Sequence, residues 1–288
     1  MAASKPKVIY ISGIGRSGST LLDALIATSD KVFSVGEAYR FNELREIDTW
    51  CSCGATFSTC PFWQQFKDVE CTIINRMNVR DYFKFALFLF IPFRKRLRFR
   101  NTSGDAAFFR AVQERLPENI VYIMDASKDV ARLAELEQSG ELDVYPIAIV
   151  RDGRAVAHSF THNTRGRSKN YFVSLAKWML VNTLMFRYFR KVPRRRLVID
   201  YGELCRRPDT VLARVEEYLD ISLPDDYIDI IRTMDYHHIG GNRLAAKDRR
   251  EKMTALTYDD RWRREQPCLT RFVASVLAYP FLRRWMKQ

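Results

Sequence analysis

No stretch of this 288-residue chain is apolar for long enough to cross a bilayer. The longest such run, Phe85–Phe93 (FALFLFIPF), falls short of the roughly 20 residues a spanning helix needs and is interrupted by Pro92. The opening stretch MAASKPKVIYIS holds no apolar segment of signal-peptide length ahead of the first motif, so a cytoplasmic protein is expected. Internal repeats, low-complexity tracts and clear linkers are also missing, which excludes a repeat architecture and leaves residues 1–288 as a single domain.

Histidine is scarce, with four in the chain, and the six cysteines include no C-x-x-C pair. Cys51, Cys53 and Cys60 form a cluster with Cys71 nearby, but its first spacing is C-x-C and no histidine is close in sequence. Zinc, a local disulfide and a reduced thiol-rich loop all stay open, and no metal is expected overall. His158 and His162 lie one helical turn apart without a third ligand, and His237-His238 have the same problem. Both pairs are expected to pack or hydrogen bond. Acid is also in deficit: 34 Asp and Glu against 47 Lys and Arg give a net charge of +13. That balance suits a basic soluble enzyme, and it favours nucleotides, nucleic acid, acidic sugars or a membrane surface as partners. The basic stretch Arg94–Arg100 follows the Phe85–Phe93 run, so peripheral membrane contact is open beside the plainer reading of a buried helix with a solvated basic end.

What is present is core-forming residue and alternating periodicity. Apolar residues make up 47% of the chain, enough for a sizeable core. Strands are predicted at Lys7–Ser12, Val32–Val35, Asn119–Asp125, Val144–Val150 and Arg196–Tyr201 from short β-branched runs. Helices are predicted at Ser19–Ser29, Tyr39–Thr49, Asp129–Ser139 (with Gly140 as C-cap), Gly153–His162, Asn170–Lys191, Thr210–Leu219 and Leu269–Leu277. The segment from about 61 to 116 reads as an aromatic-rich helical insertion that caps the sheet. His237 to Pro267 resists assignment. Strand–helix alternation implies an α/β, three-layer, P-loop-like fold, with a central parallel sheet flanked by helices plus the helical cap.

Two anion sites stand out. Between the first strand and helix, Gly13, Gly18, Ser19 and Thr20 set a G-x-x-x-x-G-S-T spacing. Such a loop curls its N–H groups inward and adds a helix N-terminus, making an anion cradle. A triphosphate-binding loop carries lysine where this chain has Ser19, and the nearest positive substitute is Arg16. Asp125 is the available carboxylate for magnesium, and no clearer one is evident. The second site starts at a strand end, where Arg151 is followed eight residues later by Ser159. Both can face the crevice at the carboxyl edge of the sheet. An Asp152–Arg154 helix cap is the plainer reading of that stretch. Asp200, at another strand end, is read as structural.

With these residues the chain resembles the PAPS-dependent sulfotransferases, where PAPS is 3′-phosphoadenosine 5′-phosphosulfate. The matching segments are spread from residue 8 to about 220, and the Arg151–Ser159 and Gly36-Glu37 wording is closest to protein-tyrosine sulfotransferases. The resemblance implies that Arg16, Ser17, Gly18, Ser19 and Thr20 hold the 5′-phosphosulfate. Arg151 and Ser159, with Arg154 a weaker candidate, would hold the 3′-phosphate, and Tyr201 would contact adenine. Glu37 would be the catalytic base, with Lys128 and Arg16 answering charge on the leaving group. Asn242, Arg243 and Lys247 match the family's closing loop only loosely. The implied partner is a hydroxyl acceptor, whether small molecule, lipid or carbohydrate, and the aromatic insertion hints weakly at an apolar or glycan-bearing one. Nucleic acid is not expected. A P-loop kinase or other phosphoryl transferase is the alternative, and a non-catalytic binder of nucleic acid or acidic lipid is a further competitor.

Overall fold

Successive residues of a buried strand face opposite ways, and the first strand shows this. Val8 and Tyr10 join one hydrophobic cluster while Ile9 and Ile11 join another. The computed structural model describes residues 4–69, 79–91, 103–162, 170–192, 195–240 and 247–285. Its strands β1 (Lys7–Gly13), β2 (Val32–Gly36), β3 (Tyr122–Lys128), β4 (Asp143–Val150) and β5 (Leu197–Asp200) form a parallel sheet in the order β2-β3-β1-β4-β5. On the Val8/Tyr10 face pack the helices Val130–Ser139, Gly153–Thr161, Tyr171–Lys191 and Cys268–Trp285. On the other lie α1 (Ser19–Ile26) and the helices Pro208–Leu219 and Tyr227–Thr233. The predicted three-layer α/β architecture is the one observed.

Local chemistry fixes where helices start and stop. Asp129 caps Val130–Ser139 by accepting from Ala131 N at 2.9 Å, and Gly140 ends it in the left-handed region at φ 71°. Asn170 accepts from Val173 N at 3.2 Å and starts Tyr171–Lys191. Several predicted bounds shift. The strand expected at Asn119–Asp125 runs instead from Tyr122 to Lys128, because both Val121 N and Tyr122 N donate to Lys31 O before pairing begins. Lys128 thereby becomes a strand-end residue. The Tyr39–Thr49 helix divides into a 3-10 turn, Ala38–Arg40, and a short helix, Phe41–Glu46. The last helix continues through Pro280 to Trp285.

The described part of the 61–116 insertion comprises the turn Trp63–Phe66 and the helices Val79–Phe90 and Ser103–Gln113. Many of its described rings are packing residues: Phe62, Trp63, Phe66, Phe85, Phe108 and Phe109 are buried in the core, whereas Phe83 and Phe90 are exposed. Much of the aromatic content that hinted at an apolar acceptor is thus accounted for by packing. Tyr82 OH donates to Asp129 Oδ2 at 2.9 Å and ties the Val79–Phe90 helix to the sheet layer. Cys71, Arg94–Arg100, Asn242 and Arg243 lie outside the described residues. No helix among the described residues is long and apolar enough to cross a membrane.

Candidate active site

The carboxyl ends of the five strands carry the predicted residues in sheet order: Glu37 after β2, Lys128 ending β3, the 13–18 loop after β1, Arg151 after β4 and Tyr201 after β5. In open α/β sheets ligands bind in the crevice outside those ends. The chain's own topology thus gathers residues that are far apart in sequence.

The loop after β1 is built on unusual backbone. Arg16 at φ 71° and Gly18 at φ 98° both occupy the left-handed region, the first a conformation non-glycine residues adopt rarely. Ser17 Oγ donates to Ile14 O at 2.7 Å and closes the turn. Ser17, Ser19 and Thr20 are buried in this bend. Gly18 stands at the N-cap of α1, where no side chain caps the helix and no acid sits in its first turn. The orphan N–H groups and the positive helix end suit an anion. A Cβ on Gly18 would collide with the Tyr201 ring, so glycine is demanded here by packing as well as by φ.

Arg151 joins this loop to the rest of the edge. Its Nη1 donates to Arg16 O at 3.1 Å, and its guanidinium lies 4.5 Å from the Tyr201 ring centroid. Trp178 Nε1 donates to Arg151 O at 2.9 Å and fixes its backbone. The side chain also meets a residue the sequence did not flag: Nη2 donates to Asp259 O at 3.0 Å and pairs with Asp259 Oδ2 at 3.2 Å. The Arg261 hydrogen bond first, and then Arg151, hold the Asp259 carboxyl well below its usual range against the opposing effect of burial. Ser159 is half-buried on the Gly153–Thr161 helix and shares no hydrogen bond with Arg151. Its neighbour Phe160 packs against Gly15. Arg154 is engaged elsewhere, with Asp152 Oδ2 at 2.6 Å, Ser275 Oγ at 2.9 Å and the Trp262 ring. The helix-cap reading of Asp152–Arg154 thus holds, because Asp152 Oδ1 accepts from Arg154 N.

Glu37 and Lys128 meet directly, Nζ to Oε1 at 2.5 Å, with Nζ also donating to Ala126 O at 3.0 Å. Both side chains are largely but not fully buried, 13% and 16% exposed, so a substrate can reach them. Tyr39 OH donates to Glu37 Oε2 at 3.2 Å. Glu37 is fixed from below: its N donates to Ile239 O at 2.8 Å, and Ile239 N donates to Val35 O at 3.0 Å. Burial alone would raise the Glu37 carboxyl. The charge and hydrogen bond of Lys128, helped by His238 and Arg40, overcome this and hold it below its ordinary value. Lys128 itself sits at φ 71°, a second strained residue at the edge.

Other candidates resolve differently. Asp125 is fully buried and committed: Oδ1 accepts from Ser127 N at 2.8 Å and Ala38 N at 3.3 Å, and Oδ2 pairs with Arg132 at 3.3 Å. It braces the edge and is poorly placed to serve magnesium. Asp200 accepts from Glu203 N at 2.9 Å as a helix cap. Lys247 opens a short helix and is exposed. His158 and His162 do acquire a third group, Glu265, whose Oε2 lies 3.1 Å from His158 Nε2. His162 Nδ1, however, faces Thr161 Oγ1 at 2.9 Å and His158 O at 3.1 Å. The histidine that the cysteine loop lacked locally is His237, whose Nδ1 lies 3.2 Å from Cys60 Sγ.

Solved structures share this fold along nearly the whole chain. The sulfotransferase domain from the Synechococcus PCC 7002 olefin synthase is 18% identical, over 97% of this chain and 97% of its own, with a TM-score of 0.50. The sulfotransferase domain from the curacin biosynthetic pathway is 15% identical, over 96% and 99%, with a TM-score of 0.53. The mouse sulfotransferase SULT7A1 complexed with PAP is 12% identical, over 98% and 86%, with a TM-score of 0.52. At these identities the likeness is one of fold. No protein-family model and no curated protein matches the sequence.

Proposed function

We propose that the chain is a sulfotransferase that moves a sulfuryl group from PAPS to the hydroxyl of a small-molecule, lipid or carbohydrate acceptor. One observation carries the reading. The Lys128–Glu37 pair stands at the end of the strand bonded to β1, with Lys128 opposite Ser12, just where β1 leads into an anion-cradling loop that has Ser19 in place of lysine. A triphosphate chemistry needs that lysine and a carboxylate for magnesium, and Asp125 is spent on Arg132 and Ser127. Sulfuryl transfer needs a base for the hydroxyl and cations for the departing phosphate.

In this reading the 5′-phosphosulfate lies against Arg16–Thr20 and the uncapped first turn of α1. Arg151 and Ser159 take the 3′-phosphate, and Tyr201 takes the adenine. Glu37, kept ionised by Lys128, accepts the acceptor's hydroxyl proton. The acceptor oxygen bonds to sulfur, the bond from sulfur to the 5′-phosphate oxygen breaks, and that oxygen leaves with the electron pair. Lys128 turns from Glu37 toward the departing oxygen, and Arg16 adds a second positive charge. The products are a sulfate ester, PAP and one proton, first held on Glu37. Loss of Lys128 from its side raises the Glu37 carboxyl and makes it a stronger base at that moment.

The test compares ligands and then transfer. PAP is expected to raise the melting temperature and to bind with one site per chain, and radiolabelled PAPS is expected to label one class in a pool of lipid, steroid, phenol and carbohydrate acceptors. Stabilisation by ATP with magnesium and not by PAP would move the reading to a kinase.

A further inference from the structure

We infer that Cys51, Cys53, Cys60 and His237 form a tetrahedral zinc site. Three thiol sulfurs and His237 Nδ1 all lie within 4.8 Å of one another. Tetrahedral zinc with sulfur at about 2.3 Å and nitrogen at about 2.05 Å sets ligand edges of about 3.8 Å between sulfurs and about 3.5 Å between sulfur and nitrogen. The observed edges are 3.7 Å for Cys53 Sγ to Cys60 Sγ, 3.2 Å for Cys60 Sγ to His237 Nδ1 and 3.9 Å for Cys51 Sγ to His237 Nδ1. A disulfide needs about 2.05 Å between sulfurs, and Cys53 and Cys60 stand well beyond it.

The surroundings are those of a ligand set. A small hairpin, closed by the Trp50–Thr56 bridge and by Cys51 N donating to Ala55 O at 2.8 Å, presents Cys51 and Cys53 on one tight turn. Zinc takes these sulfurs as thiolates, so binding releases their protons. Three thiolates and a neutral imidazole would leave bound zinc with a net negative charge. The Phe62 ring stacks on the His237 imidazole, and Trp63 Nε1 donates to His237 O at 2.7 Å, fixing that residue's backbone. The His158, His162 and Glu265 group differs on each count, since two of its members are exposed and His162 Nδ1 already faces a carbonyl.

The site would be structural. It joins the hairpin to the 236–239 segment, where His238 N donates to Ser52 Oγ at 2.7 Å and Ile239 holds the backbone of Glu37. Zinc therefore clamps the floor beneath Glu37 without touching substrate. The inference stands apart from the sulfotransferase reading, because metal content and PAP binding are measured separately.

The experiment takes the full-length chain without a metal-binding tag. Elemental analysis is expected to find one zinc per chain, and cobalt(II) exchange is expected to produce thiolate-to-metal charge transfer with the strong d–d bands of tetrahedral coordination. A strong chelator should lower the melting temperature, and zinc should restore it. His237→Ala and Cys60→Ser should lose the metal, His237→Cys should keep one equivalent, and Cys205→Ser and Cys268→Ser should change nothing. If the first two variants do not fold, the cobalt spectrum of the unaltered chain decides. Absence of the charge-transfer bands, a Cys53–Cys60 disulfide in non-reducing peptide mapping, or unchanged metal content in His237→Ala would overturn the site.

Discussion

Two cation–carboxylate pairs stand on the same edge of the sheet and are held in different ways. Lys128 and Glu37 both come from ends of neighbouring strands, β3 and β2, so the sheet's own hydrogen bonds fix their approach. Arg151 also leaves a strand end, but its partner Asp259 arrives from a polar segment beyond the sheet. The first pair is part of the frame, whereas the second exists only while that segment is docked. A third set, Arg132 with Asp105 and Asp125, is buried to 3% and 0% exposure and serves the core. A fully buried pair of this kind cannot open without leaving an uncompensated charge. The two accessible pairs are the ones a substrate can exchange.

The comparison breaks first at Glu37. Glu37→Gln keeps the shape and removes the proton acceptor, so turnover should fall by about 10²–10⁴-fold, the usual worth of a positioned base. PAP affinity, measured by calorimetry, should persist. Near-normal turnover would take the base role from Glu37. Next is Arg151→Ala. Truncating the protein's side of a buried charge contact to the 3′-phosphate costs about 2–5 kcal/mol, so PAP should bind about 30- to 4,000-fold more weakly. That variant should leave the pH dependence of residual turnover where it was, because Glu37 is untouched.

The frame was legible in the sequence and the docked segment was not, for a physical reason. Strands such as Val144–Val150 announce themselves by β-branched composition, and a residue at a strand end is placed once the strand is. Arg151 was placed in this way; Glu37, Lys128 and Tyr201 were singled out by the family resemblance, and the sheet brings all four to one edge, although β3 ended three residues later than its composition suggested. Asp259 and His237 belong to a stretch without periodicity. Their partners, Arg151 and Cys51, are 108 and 186 residues away, and no local pattern encodes contacts of that range. Aromatic richness misled in the opposite sense. It was read as a hint about the acceptor, where Phe62, Trp63 and Phe108 build core.

The pH profile sharpens the contrast between the pairs. In the free enzyme Lys128 holds Glu37 below its ordinary value, so Glu37 stays ionised to lower pH than a free glutamate. The acid limb of kcat/KM, which reports the free enzyme, should therefore fall below about pH 4.3, the ordinary glutamate value. The acid limb of kcat should lie higher, since Lys128 has turned to the donor in the loaded enzyme. In Lys128→Met the kcat/KM limb should move up and meet it. The same sign governs stability: the contribution of this pair is complete above the unfolded carboxyl's value and is lost as pH falls through the depressed one. Coincident limbs in the unaltered enzyme would mean that Lys128 does not change partner.

The smallest effect tests the second pair from its carboxylate side. Asp259 Oδ1 accepts from Arg261 Nε at 2.8 Å while Oδ2 faces Arg151, so an anion already stands on the guanidinium proposed for the 3′-phosphate. Two like charges cannot share that position without repulsion, and PAP must displace the carboxylate or push it aside. Asp259→Asn removes the charge and keeps a side chain able to accept from Arg261. PAP should then bind more tightly by a few-fold, about the worth of one partly exposed ion pair. Turnover at saturating donor should hold, because Glu37 and Lys128 are untouched. Weaker binding would reverse the assignment: Asp259 would be a brace that aims Arg151 at the nucleotide, and the docked segment would belong to the binding site as firmly as the sheet does.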